Sequence, residues 1–120
     1  MSKRNTAILT KIVEEAFALE QILNEIDESA FLANDLIVRA TCMTLINVGE
    51  LIKNLNEDFR VSHSHIPWKD IAGFRDVAAH GYFTLRMDRV WLYATKEMPV
   101  FVAQIKEILH SENESLSHTE

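Results

Sequence analysis

The chain has 120 residues, 48 % hydrophobic and 25 % charged, with 12 Lys and Arg against 18 Asp and Glu for a net charge of −6. That length builds one domain with a modest core, and the acidic balance excludes a surface that binds nucleic acid everywhere. A single cysteine, Cys42, excludes an internal disulfide, the N-terminus has no signal-peptide core, and no apolar run nears the ~20 residues of a membrane span, so a cytoplasmic protein is expected.

Ile8, Ile12, Ala16, Leu19, Leu23 and Ile26 recur at spacings of three and four, which predicts an amphipathic helix over residues 5–26. The segment IDESAFLAND breaks the pattern. A second helix is expected from a cap at Ser29 or Asn34 to Asp58. Its apolar surface is wider than one neighbour needs, as for a helix that faces a core on one side and another subunit on the other. RVSHSHI reads as a loop. Pro67 starts a third helix without losing a hydrogen bond, Trp68, Ile71, Phe74 and Ala78 form its buried side, and Gly81 is its expected stop. Thr84 caps a fourth helix, which Pro99 kinks or restarts. The expected fold is all-α, an up-and-down bundle of four to five helices over residues 1–110, with 111–120 a flexible polar tail.

The charges are unevenly spread. Residues 60–90 carry 5 Lys and Arg against 3 Asp and Glu, while residues 1–59 carry 5 against 10 and residues 91–120 carry 2 against 5. A local basic site on an acidic body attracts a phosphate chain, although scattered exposed charge is the simpler explanation. Within this segment RDVAAHGYF gathers Arg75, Asp76, His80 and Tyr82 on one expected helix. Asp76 and His80 are four apart and Arg75 and Tyr82 seven apart, so each pair shares a face.

An aspartate that accepts from one imidazole nitrogen leaves the other free to move a proton. An arginine offers a planar fork suited to phosphate. The set suits RNA cleavage without a metal. A 2′-hydroxyl attacks the adjacent phosphate, a base and an acid move protons, and a cation stabilises the developing charge. One histidine is thin for both proton transfers, and two chains meeting along this face would supply two. The competing explanation is structural: a histidine before glycine capping its own helix, beside a solvated ion pair.

The run IPWKDIAGFRDVAAHGYF, followed by VW and a later proline, resembles the HepT-like branch of the HEPN superfamily. The upstream INVGELIKNL resembles that branch's second long helix, with its Gly-Glu pair, and the resemblance spans roughly residues 7–110. The stretch TLRMD just after the motif agrees least. The resemblance implies a helical homodimer whose two motifs line a shared cleft. It further implies a metal-independent endoribonuclease toxin that needs no cofactor. Its partner would be a minimal nucleotidyltransferase antitoxin of the MNT type, which adenylylates the motif tyrosine. Carried over, Arg75 and His80 are catalytic, Asp76 fits the polar position after the arginine, and Tyr82 is the modified residue. Added AMP would block the cleft and occupy the cation that RNA needs. The alternative within the same superfamily is a non-catalytic helper subunit that docks a nucleotidyltransferase and binds its nucleotide or substrate.

Glu50 and Arg39 lie eleven apart on one face of the second helix. Each is expected to pair across to a neighbour, and Glu50 to hold Arg75 as a supporting residue, unless both are ordinary surface charges. His63 and His65 have a spacing seen in metal sites but lack further ligands nearby. Cys42 reads as a small buried side chain, and Trp68 and Trp91 as core.

Overall fold

The computed structural model describes residues 1–84 and 86–118, with side chains for 1–79 and 86–113. Its helices run α1 Lys3–Leu23, α2 Glu28–Leu32, α3 Asp35–Lys53, α4 Glu57–Ser62, α5 Trp68–Ala72, α6 Phe74–Thr84 and α7 Met87–Leu92. A π-helical turn follows at Tyr93–Glu97, and α8 at Met98–His118. Among the described residues there is no strand, so the fold is the expected all-α bundle. Four long helices, α1, α3, α6 and α8, carry it.

Local chemistry explains where the helices start. Ser2 Oγ accepts from Asn5 N at 3.0 Å, Asp27 Oδ1 from Ala30 N at 2.8 Å and Asn34 Oδ1 from Ile37 N at 3.1 Å. Each such cap is worth about 1 kcal/mol. Asn34 is therefore the cap of the second long helix, and Ser29 lies inside α2, a short helix within the segment that the sequence reads as a break. Helix α3 ends at Lys53 rather than at Asp58. Buried Leu55 continues the apolar rhythm through the turn between α3 and α4, which is why the spacing alone overruns the end.

The first three residues of RVSHSHI, Arg60 to Ser62, belong to α4, anchored by buried Phe59. The third helix is divided at Gly73 into α5 and α6. Gly81 does not stop it, since α6 continues to Thr84 and α7 begins at Met87. Near Pro99 the chain stays helical. A proline cannot donate, and its ring presses on the carbonyl four residues back. The ladder shifts to π register just before it, with Met98 N bonded to Tyr93 O.

The helices alternate in direction. Arg4 at the start of α1 donates to Asn54 Oδ1 just beyond α3 at 3.4 Å, and the amino terminus meets Glu112 Oε1 of α8 at 3.1 Å. The core joins Leu9, Ile12 and Leu19 of α1, Leu45, Val48 and Ile52 of α3, Phe74 and Ala78 of α6, and Phe101 and Ile105 of α8. Burying each of the larger side chains contributes about 1.5–3 kcal/mol. Trp68 packs edge-on against Phe101 at 5.9 Å and donates its indole N–H to His63 O at 3.0 Å. Phe31 lies 5.1 Å from Trp91. Buried Asn5 accepts from Asn56 N at 3.4 Å and Thr41 Oγ1 donates to Ile37 O at 2.8 Å, so neither buried polar side chain is left unpaired. No helix among the described residues is long and apolar enough to cross a membrane.

Candidate functional site around Arg75

Arg75 occupies the second position of α6, directly after Phe74. Phe74 is buried and packs at a tilt against Tyr93, ring centroids 4.4 Å apart, which fixes this end of the helix against the rest of the bundle. Across from it runs the last part of α3. There Gly49 is buried, and the next residue, Glu50, is exposed.

Arg75 Nε lies 2.5 Å from Glu50 Oε1. The contact is one of charge, since the buried Nε–H has no aligned acceptor. The same carboxylate oxygen lies 3.8 Å from Lys53 Nζ. The other end of the guanidinium reaches Asp76, with Nη1 donating to Oδ1 at 3.4 Å. Two cations and two carboxylates thus alternate in one chain at the surface. The Arg75 side chain is 41 % exposed and that of Glu50 49 % exposed. Pairs that open to water contribute about 0–1 kcal/mol of stability. Their effect here is to orient the guanidinium, whose other nitrogen, Nη2, meets no partner among the described residues.

The structure therefore brings together three of the residues singled out in the sequence, Glu50, Arg75 and Asp76. The backbone of α6 is helical through position 82, so the registers of 76 with 80 and of 75 with 82 are kept. The side chains of His80 and Tyr82 lie outside the described ones. Arg39 pairs with Asp35 one turn back at 2.7 Å.

Two residues of the cluster were given no role at the site by the sequence. Lys53 is one turn from Glu50, a spacing that could have signalled it. Gly49 is buried against Arg75 itself: a Cβ there would lie 2.7 Å from Arg75 Cβ and 3.2 Å from Ala72 O. A glycine in the middle of an apolar helix was the available signal, because it costs helix stability and needs a reason.

Other candidates resolve differently. The rings of His63 and His65 lie 6.1 Å apart beside a hollow of about 990 Å³ that His110 also lines. No group of three or more His, Cys, Asp or Glu suited to a metal occurs among the described residues. Cys42 is buried, and desolvation raises its thiol pKa, which makes it a packing residue rather than a nucleophile. An apolar groove of about 680 Å³ runs between α1 and α8, lined by Phe17, Trp91 and Val102 among others.

Comparison with known proteins points to one family. The family model described as "Ribonuclease HepT-like" matches residues 12–108. "Putative RNase TTE0752" of Caldanaerobacter subterraneus subsp. tengcongensis is 38 % identical over 104 residues, covering 87 % of this chain and 93 % of that protein. "Putative RNase MJ1380" of Methanocaldococcus jannaschii is 30 % identical, covering 88 % of this chain and 98 % of its own length. "Probable ribonuclease HepT" of Thermococcus cleftensis is 27 % identical, covering 90 % and 98 %. No solved structure gives a significant match.

Proposed function

Because the chain belongs to the Ribonuclease HepT-like family, we propose that it is a metal-independent endoribonuclease, the toxin of a toxin–antitoxin pair. The observation that carries the reading is Arg75: it lies within the family match and is held at the surface by Glu50 while its side chain stays partly exposed. In this reaction Arg75 stabilises charge on the phosphoryl oxygens as the 2′-hydroxyl attacks. His80 moves the proton between the attacking and leaving oxygens. Asp76 and Glu50 are supporting residues that act through Arg75.

A second copy completes the site. Leu36 and Met43 on α3 are 77 % and 57 % exposed and lie seven apart, and seven further along is Glu50. That spacing puts an uncovered apolar stripe on the same face as the carboxylate that holds Arg75. Pairing two chains along it forms a homodimer, buries the stripe and brings two Arg75 and two His80 to one cleft. The antitoxin is an MNT-type nucleotidyltransferase, which transfers AMP from ATP to the Tyr82 hydroxyl with release of pyrophosphate. The new anion lies on the Arg75 face of α6 and competes with RNA for the guanidinium.

The test is cleavage of RNA by the purified protein in EDTA. Arg75→Ala and His80→Ala each lower kcat by about 100-fold or more while the helical circular dichroism stays. Cleavage undiminished in both variants overturns the mechanism, and a magnesium requirement indicates different chemistry. A mass gain of one AMP on co-expression with an MNT-type nucleotidyltransferase, lost in Tyr82→Phe, tests the switch.

A second reading, a helper subunit that docks a nucleotidyltransferase and binds its nucleotide or substrate, is favoured by one feature. Glu50 and Asp76 already counter Arg75, an arrangement that suits holding a ligand as well as breaking one. Toxicity of the chain expressed alone, lost with His80→Ala, decides for the nuclease.

A further inference from the structure

We propose that Gly49 is a positioning residue for Arg75: its missing side chain lets α6 approach α3 closely enough to set where the guanidinium stands. The inference deepens the nuclease reading and rests on it for its kinetic test alone.

Three observations meet at this point. First, the space for a Cβ at Gly49 is already taken by Arg75, with Arg75 Cβ at 2.7 Å, Arg75 Cα at 3.6 Å and Ala72 O at 3.2 Å. The nearest of these is the stem of Arg75 and the others are backbone, so nothing at the contact is a loose side-chain end that could swing away. Second, the residue after Gly49 is Glu50, whose carboxylate meets the guanidinium of the same arginine. Adjacent residues of α3 thus set the root and the head of one side chain. Third, the neighbouring parts of α6 are fixed independently by buried Phe74 and Ala78. A methyl group at position 49 cannot be absorbed by sliding α6 freely. It must push α6 outward at Arg75, against these anchors.

Interiors transmit such strain instead of dissipating it. The displacement falls on the residue that has to meet the scissile phosphate. A misplacement of about 1 Å at such a group can cost about 100-fold in rate. Glycine in mid-helix lowers helix stability by itself, so Gly49→Ala would stabilise α3 if only propensity counted. The expected result has the opposite sign for the site.

The experiment compares Gly49→Ala with Val38→Ala, a core substitution on the same helix away from Arg75, at a temperature where both are folded. Gly49→Ala lowers kcat by about 10- to 100-fold with KM changed by less than about threefold, and Val38→Ala leaves kcat per folded molecule unchanged. The Nε–H signal of Arg75, assigned by its loss in Arg75→Lys, moves in Gly49→Ala while those of the other arginines stay. A double-mutant cycle with Arg75→Gly shows coupling, because the alanine at 49 lowers Tm much less once the opposing Cβ is gone.

The proposal is overturned if kcat of Gly49→Ala stays within twofold. It is also overturned if Val38→Ala loses as much, or if the Arg75 signal does not move. Should the wild-type chain fail to cleave RNA, the nuclease reading falls on its own. The Arg75 signal and the cycle then decide: a moved signal with coupling supports the placement, and an unmoved signal or an additive cycle overturns it.

Discussion

The α1–α8 seam and the α3–α6 seam use the same helical geometry with different contents. Between α1 and α8 the contact is made by large side chains, Leu9, Ile12 and Leu19 meeting Phe101 and Ile105. It opens into an apolar groove lined by Phe17 and Val102. Between α3 and α6 there is also a buried floor, with Val48, Ile52, Phe74 and Ala78. Its outer edge, however, has a glycine against an arginine stem and a carboxylate against the guanidinium. The first seam is a source of stability that tolerates small shifts. The second is a seam where distance itself matters, because the arginine proposed to meet the phosphate stands on it. Stability and aim are therefore assigned to different seams of the bundle, and substitutions can separate them.

The largest expected effect is on the first seam. Phe101→Ala removes a fully buried ring and its edge contact with Trp68, at a cost of about 3–5 kcal/mol in urea unfolding. Activity per folded molecule stays near wild type. Arg75→Ala is the mirror image. Cleavage falls by about 100-fold or more, while unfolding free energy changes by less than about 1 kcal/mol, because the pairs it breaks are open to water. If Phe101→Ala lost its activity while folded, or Arg75→Ala unfolded the chain, the division between the seams would be wrong.

The sequence made one seam far more legible than the other. Ile8, Ile12 and Leu19 announce the inner face of α1 through spacing alone, and that face is buried as expected. Spacing failed where burial continues without a helix, as at Leu55 in the turn after α3. It also failed at Gly81, where glycine was read as a stop though the helix runs on. Pro99 was read correctly as a disturbance, but the π register that accommodates it depends on backbone geometry and leaves no trace in composition. At the site, Arg75 and Asp76 were visible through the spacing of RDVAAHGYF and its resemblance, and Glu50 as a charge on an apolar helix. That Glu50 reaches Arg75 across 25 positions of chain is a tertiary fact, for which the sequence offered a guess and the bundle the geometry. Gly49 was visible only as part of a resemblance. Its physical role needed the opposing Cβ.

Smaller effects sharpen the second seam. Glu50→Gln keeps the shape but removes the charge that holds Arg75 and Lys53. We expect kcat to fall about 10-fold, the order of a lost charge-assisted orientation, with Glu50→Asp partly restored. A purely structural role would leave kcat unchanged in both. Asp76→Asn is expected in the opposite sense. It removes a negative charge beside the proposed phosphate seat, lowering KM by about 2–5-fold at low salt, and the gain shrinks as ionic strength rises. If KM rose instead, Asp76 would be serving catalysis directly rather than tempering the charge of Arg75.

The smallest effect belongs to Cys42, which lies seven residues before Gly49 on the same face of α3 and is buried like it. Burial raises its thiol pKa above the ordinary value of 9.0. The sign for stability follows from which state keeps the proton. Below pH 9 both folded and unfolded chains carry the thiol, and the residue contributes nothing to pH dependence. Above it the unfolded chain ionises first and binds fewer protons, so stability falls as pH climbs until the folded thiol also ionises. Cys42→Ser flattens this alkaline decline slightly. Alkylation of Cys42 by iodoacetamide is expected to be at least about tenfold slower in the folded protein than in urea, as for any sealed thiol. Repeating it on Gly49→Ala separates two ways that substitution could act. If α6 shifts only at Arg75, the inner face stays closed and labelling stays slow. Rapid labelling would mean that α3 has opened as a whole, and the aim of the site would then be inseparable from the integrity of the core.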